Sequence, residues 1–249
     1  MIDYAVILAG GFGTRLRSVV NDTPKALALV GGKPFLFWLL SLLSARGIKR
    51  VLMLLGYGAK QISDYCGDGK EWGLFIDYSV EDEPMDKGGA LRLAMDKINA
   101  SNFFFMNGDT FFDVNFSAMA EFHLERTSDL TIATRKWPSI DRTDPLEIDE
   151  KSRVISFGRK DLPPDHRGEW FINGGIYVVE RELVEGLPCK RMSWEHELIP
   201  RFLNDGKALY AFSQEGKYFI DIGVPEDYHR AQESIPLVCK NILKIGENI

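Results

Sequence analysis

The chain has 249 residues, 45% of them hydrophobic and 27% charged, a balance that suits one large globular domain with a sizeable buried core. A formal net charge of -6 excludes a protein whose affinity rests on many nucleic-acid phosphates, so an anionic small ligand needs a local basic pocket. Cys66, Cys189 and Cys239 stand far apart, with no Cys-x-x-Cys pair and no histidine at zinc-ligand spacing, and they read as reduced, partly buried thiols.

The start, Met1-Ile2-Asp3-Tyr4, lacks a basic export region, and the apolar stretch after it enters a glycine-rich loop rather than a cleavage site, so a cytoplasmic location is expected. Short apolar runs then alternate with helical patterns. Strands are predicted over Tyr4–Leu8, Arg50–Leu55, Leu74–Val80 and Asn102–Met106, with helices over Pro34–Arg46, Ala59–Tyr65 and Gly89–Lys97 between them. The most apolar run, Phe35–Leu43, is too short to cross a bilayer. It is expected as a buried or oligomer-facing helix, so a homo-oligomer is an expectation and membrane contact is not. Beyond Asp113 the spacing changes, and strands joined partly by hairpin-like turns are predicted over Asp129–Thr134, Leu146–Asp149, Arg153–Phe157 and Phe171–Val179. Gly158–Glu169, with Pro163 and Pro164, reads as a surface loop; short strands follow over Ala208–Phe212 and Tyr218–Ile222, then a helix over Pro225–Glu233. The expected fold is α/β: a doubly wound, Rossmann-like mixed sheet, predominantly parallel and flanked by helices, with a small β-rich extension. One domain is expected over residues 1–234, in halves of about 1–113 and 114–234, followed by a tail over 235–249 that no pattern assigns.

Leu8-Ala9-Gly10-Gly11-Phe12-Gly13-Thr14-Arg15-Leu16-Arg17 follows the first strand. Its glycines let backbone N–H groups turn toward an anion, and its arginines add fixed positive charge; the alternative reading is a tight strand-to-helix turn. A dinucleotide fold wants glycine where Leu16 stands, and a Walker loop wants Gly-Lys-Ser/Thr, so neither pattern is met. Thr23-Pro24-Lys25 places a lysine beyond a proline-fixed turn, where it serves either as a point charge on phosphate or as an ordinary solvated side chain. Asn107-Gly108-Asp109 and Phe219-Ile220-Asp221 each end an apolar strand in a carboxylate, the position where open α/β sheets bind ligands. Two such aspartates suit Mg²⁺, which takes one or two carboxylates and completes its shell with phosphate oxygens and water. Taken singly, each aspartate also reads as a turn or helix cap, and Asp113 reads as such a cap. His123, His166, His196 and His229 do not cluster and read as surface or packing residues.

Taken together, Leu8–Arg17, Pro24-Lys25, Asn107-Gly108-Asp109, Ile172–Tyr177 and Phe219–Tyr228 resemble the sugar-phosphate nucleotidyltransferase family, over nearly the whole chain. Arg17–Val20 before Asp22–Lys25, Gly67-Asp68-Gly69 and the Phe219–Tyr228 ending are most similar to members that use GTP and a heptose 1-phosphate. The resemblance implies transfer of a nucleoside monophosphate from a nucleoside triphosphate to a sugar 1-phosphate, releasing pyrophosphate and giving an NDP-sugar for surface polysaccharide synthesis. A sugar 1-phosphate oxygen would attack the α-phosphorus in line, without an enzyme nucleophile. It implies that Arg15, Lys25 and Asp109 are catalytic; that Leu8, Ala9, Gly10, Gly11, Gly13, Thr14, Arg15, Lys25, Glu83 and Gly88 bind the nucleotide, with Gly88-Gly89 packing under the nucleoside; that Gly108, Lys160, Asn173, Gly174 and Glu195 bind the sugar phosphate; and that Asp109 and Asp221 hold Mg²⁺. Trp194–Glu197 either lines the sugar site or begins a helix capped by Ser193. Where the family commonly reads Pro-Leu-Gly-Thr, this chain has Pro84-Met85-Asp86-Lys87, which adds two opposite charges beside the expected base pocket. A metal-dependent glycosyltransferase would usually carry Asp-x-Asp, whereas Asp109-Thr110-Phe111 lacks the second aspartate, and a binding-only sensor has no need of Arg15, Lys25, Asp109 and Asp221 together.

Overall fold

The computed structural model describes residues 1–11, 16, 23–165 and 167–243. They divide into two compact units. The first takes Asp3–Glu83, Met106–Asp113 and the chain from Tyr218 onward; the second takes Met1–Ile2, Pro84–Phe105 and Val114–Lys217.

In chain order the first unit opens with β1 (Tyr4–Leu8), the short β2 (Leu29–Val30) and β3 (Lys33–Pro34), α1 (Phe35–Ala45), β4 (Arg50–Leu55), α2 (Ala59–Cys66) and β5 (Phe75–Val80). The chain then enters the second unit through α3 (Asp86–Leu93) and returns along β6 (Asn102–Asn107) to β7 (Thr110–Phe112). The rest of the second unit is α4 (Phe116–Glu125), β8 (Leu130–Trp137), β9 (Pro145–Ile148), β10 (Val154–Phe157), β11 (Trp170–Glu180), α5 (Glu182–Glu185), α6 (Ile199–Asn204) and β12 (Leu209–Ser213). The first unit closes with β13 (Phe219–Asp221) and α7 (Pro225–Leu243).

Within the first unit β1, β4 and β5 are parallel, with Tyr4 opposite Arg50 and Arg50 opposite Phe75. Strands covered on both faces need no polar side, which is why β1 and β4 are nearly uninterrupted apolar runs. The apolar run in α1 is consumed locally: Phe35, Leu36, Trp38, Leu39, Leu40, Leu42 and Leu43 are all buried, and Trp38 Nε1 donates to Val30 O at 2.8 Å. The core of its own unit thus takes up the run. α7 runs nineteen residues and passes through Pro236, well beyond the predicted end at Glu233. It docks on the β2–β3 hairpin, where Tyr228 Oη and Gln232 Nε2 both donate to Leu29 O, at 2.6 and 2.9 Å, while Gly31 N donates to Gln232 Oε1 at 3.1 Å.

The second unit is mixed. β11 is antiparallel to β8 and β9, β10 is antiparallel to β9, and β12 is parallel to β8. The predicted hairpin at 149–153 is present, held by Asp149 Oδ1, which accepts from Lys151 N and Arg153 N, both at 2.8 Å. Helix α4, which the sequence reading passed over, buries Phe116, Met119, Ala120 and His123, one face at helical spacing. Its cap is Asn115, whose Oδ1 accepts from Ala118 N at 3.2 Å. Asp113, expected as a cap, instead takes the Arg46 guanidinium. Among the described residues no helix is long and apolar enough to cross a membrane.

Candidate active site

In the first unit the strand ends crowd together. Ala9 N donates to Leu54 O at 2.9 Å, Gly108 N to Leu8 O at 2.8 Å, and Tyr57 N to Gly10 O at 3.2 Å. A Cβ on Gly10 would lie 2.5 Å from Gly56 N, and one on Gly108 would lie 2.6 Å from Leu8 O, so only glycine allows this approach. Gly11 is exposed, with open space where a Cβ would stand. The candidates Gly13, Thr14 and Arg15 lie outside the described residues. Gly108, expected with the sugar phosphate, sits against Leu8 and Ala9. Glu83 is exposed, and the carboxylate that reaches the glycine cluster is Glu81, 2.9 Å from where a Gly56 Cβ would be. Sequence reading missed Glu81, two residues from the candidate it named.

Lys25 opens a short 3-10 turn after Pro24. Its Nζ donates to Asp109 Oδ2 at 2.6 Å and lies 3.6 Å from Asp221 Oδ1. The convergence of the two aspartates follows from backbone pairing: β7 and β13 are antiparallel with Asp221 opposite Thr110, and Ile222 N donates to Asp109 O at 3.1 Å. Asp221 Oδ1 also accepts from Gly223 N at 2.6 Å. Burial and the Asp109 carboxylate raise the Asp221 carboxyl above its ordinary range. Burial alone would lower the Lys25 ammonium, but Asp109 and Asp221 hold it above its usual value. Two carboxylates around one ammonium leave a negative charge over, which a second cation would balance. Hard oxygen donors, two in number, fit Mg²⁺. Among the described residues no group of three or more His, Cys, Asp or Glu offers a larger ligand set.

A second polar cluster lies wholly within the other unit. β11 shifts register against β8 between Asn173 and Tyr177, where Gly175 takes φ +71° and donates its N–H to Asn173 Oδ1 at 3.0 Å. Such a bulge re-aims side chains. Asn173 Nδ2 here donates to Tyr177 Oη at 2.7 Å, Tyr177 Oη donates to Glu195 Oε1 at 3.1 Å, and Lys87 Nζ donates to the same Oε1 at 2.7 Å. Buried Gly174 lies between these residues in sequence. Asn173 N donates to Asp144 O at 2.9 Å, and Lys160, exposed, donates to Ile140 O at 2.7 Å and to Thr143 O. Burial and then Glu195 raise the Asp144 carboxyl. The structure thus brings Asn173 and Glu195 together with Lys87 and Tyr177, with Asp144 beside them.

The two unusual charges before Gly88 part company. Asp86 is exposed and ion-paired with Arg191 at 2.7 Å, whereas Lys87 turns inward to Glu195. Lys87 therefore stands with Glu195 and Tyr177, among residues expected at the sugar. The structure sets Gly88 beneath Met192 and Leu198, where a Cβ would lie 2.9 Å from Met192 O and 2.5 Å from Leu198 Cδ1. Ser193 caps the turn at Trp194–Leu198 through His196 N at 3.1 Å, so Glu195 both begins a helical segment and joins the cluster.

The profile of the nucleotidyl transferase family matches residues 4–236. The chain is 37% identical over 234 residues to the D-glycero-alpha-D-manno-heptose 1-phosphate guanylyltransferase of Aneurinibacillus thermoaerophilus, covering 93% of this chain and 97% of that one. It is 34% identical to the enzyme of the same name from Campylobacter jejuni, covering 90% and 96%. HddC from Yersinia pseudotuberculosis, solved in complex with GMP-PN, superimposes with a TM-score of 0.81 at 36% identity, covering 94% of this chain and 99% of that one. With the family profile spanning nearly all of its length, and the strand-end aspartates brought together on Lys25, this chain belongs to the nucleotidyl transferase family.

Proposed function

We propose that this chain transfers GMP from GTP to D-glycero-D-manno-heptose 1-phosphate in the cytoplasm, releasing pyrophosphate and giving a GDP-activated heptose for surface polysaccharide. The carrying observation is Lys25 held between Asp109 and Asp221 on paired strand ends, which are the charges needed to receive a metal-bound polyphosphate. The guanylyltransferase relatives and HddC with GMP-PN support the choice of base and sugar.

The attacking sugar 1-phosphate is already ionised at neutral pH, so no side chain has to remove a proton. The protein's work is to hold two mutually repelling anions in line and to stabilise the charge that develops on the α-phosphoryl group. Mg²⁺, held by Asp109 and Asp221, would supply Lewis-acid stabilisation of the phosphate oxygens. Lys25 is assigned to the α-phosphate, the loop from Leu8 through Ala9, Gly10, Gly11, Gly13 and Thr14 to Arg15 to the β- and γ-phosphates, and the segment near Glu83 to the base. Asn173, Gly174, Glu195 and Lys160 are assigned to the sugar phosphate.

Pyrophosphate release measured with each of the four nucleoside triphosphates against a panel of sugar 1-phosphates tests this reading. GTP with the heptose 1-phosphate is expected to give the highest kcat/KM, and Lys25→Ala is expected to lower it by about 10²- to 10³-fold, the cost of one preorganised donor. Preference for UTP, CTP or dTTP with a hexose 1-phosphate would overturn the substrate pair, and an effect of Lys25→Ala below about tenfold would remove the lysine from the chemistry.

A further inference from the structure

Among the described residues Lys87 is the only lysine or arginine that is buried. Burying an ammonium is costly unless a partner and good geometry compensate for it. Lys87 has both, in Glu195 Oε1 at 2.7 Å and in the faces of Tyr177 and Phe105, whose ring centroids are 4.5 and 5.3 Å from its Nζ. The backbone carrying Glu195 is fixed as well, since its neighbour Trp194 is buried edge-on against Phe105 and Tyr177, at 5.1 and 5.7 Å between centroids. The carboxylate itself is held asymmetrically. Both of its side-chain donors, Lys87 and Tyr177, fall on Oε1, and its own backbone N–H adds a further hydrogen bond.

Resting on the proposed function, we infer that Lys87 is a positioning residue that clamps Glu195 through Oε1, so that Oε2 meets the hydroxyls of the sugar 1-phosphate in one orientation and sets which sugar is accepted. Without the clamp, the carboxylate is free to rotate away from a bound sugar, and it loses the cation that keeps it charged. Burial alone would raise the Glu195 carboxyl, and Lys87 is foremost among the groups that hold it below its ordinary range. The titratable groups facing it are Lys87 on α3, Tyr177 on β11, Asp144 before β9 and, through their electrostatic effect on Asp144, His196 on the same turn and Lys160 after β10.

Steady-state kinetics on the full chain, comparing the wild type with K87M, E195Q and the double variant, test this. K87M is expected to raise KM for the sugar 1-phosphate at least about tenfold while KM for GTP stays within about twofold, and to add little once Glu195 is already Gln. It is also expected to give kcat/KM for the sugar a new fall toward acid pH, because a buried Glu195 without its ammonium takes up a proton more readily. An unchanged sugar KM, equal rises in both KM values, or full additivity in the double variant would overturn the inference. Should K87M fail to fold, the neutral pair K87M/E195Q keeps the question open to measurement, since its sugar KM must then match that of E195Q alone. Turnover in the wild type separates the two ideas. A wild type that releases no pyrophosphate with any substrate pair sinks the proposed function and the inference with it, whereas wild-type turnover beside an unaltered K87M sinks the inference alone.

Discussion

A single buried histidine shows how finely the surroundings of one residue set its chemistry. His123 lies on α4 with Nδ1 2.8 Å from Thr131 Oγ1 and Nε2 2.8 Å from Asn102 Oδ1. Burial disfavours the charged ring and lowers its pKa from 6.5 to about 4. The unfolded chain therefore gains a proton near pH 6.5 that the folded chain refuses until about pH 4. The resulting stabilisation is fully present above pH 6.5 and is lost progressively as pH falls toward 4, by about 3 kcal/mol in all. Urea midpoints at several pH values between 7.5 and 4 should fall faster for the wild type than for His123→Gln, which has no ring to protonate; parallel curves would refute the assignment. Much of the site was legible residue by residue. Lys25, Asp109 and Asp221 were identifiable because strand ends and a proline-fixed turn dictate where such side chains go. Lys87, Tyr177 and Glu81 were not, since a lysine in sequence carries no sign of whether it is buried, and only the fold reveals that Lys87 turns toward Glu195.

The elements divide along the same physical line. Parallel strands covered on both faces must be apolar throughout, so β1 and β4 are readable as uninterrupted runs, and the Asp149–Arg153 hairpin declares itself through its turn residues. Helix α4 has the spacing of an amphipathic helix, Phe116, Met119, Ala120 and His123, but its buried face includes a polar histidine that dilutes the pattern. β13 falls inside the strand predicted over Tyr218–Ile222, whereas the three-residue β7 is too short for periodicity, and their pairing is what brings the two aspartates together. The glycine loop permits a sharper test at this scale. Gly10→Ala forces a methyl group to within 2.5 Å of the Gly56 backbone, where nothing flexible can yield, and should destabilise the protein by about 1–3 kcal/mol. Gly11→Ala, next door, enters open space and should shift stability by less than about 0.5 kcal/mol. Thermal melts of the two variants decide it: equal shifts would mean that the close approach of the β1 and β4 ends imposes no steric limit.

At the scale of the whole chain, the point at issue is where the functional part ends. Sequence patterning ended the helix at Glu233 and left the residues after Ser234, Pro236 and Cys239 among them, unassigned. The structure carries α7 through that proline to Leu243 and uses the far half of the helix: Ile235 and Cys239 are buried, and Pro236 packs so closely on the β2–β3 turn that a Cβ on Gly31 would lie 2.3 Å from its Cγ. The near half anchors the same turn through Tyr228 and Gln232. The ring fits against this turn because its packing partner is a glycine, which has no Cβ to meet it. The helix therefore acts as a strap across the unit that holds Lys25, Asp109 and Asp221. Cutting the chain after Ser234 removes two buried side chains and should cost several kcal/mol, lowering Tm by about 10 °C. Scanning calorimetry of residues 1–234 beside the full chain would show it, and a shortened chain that melts with the intact one would make the last turns of α7 an appendage after all.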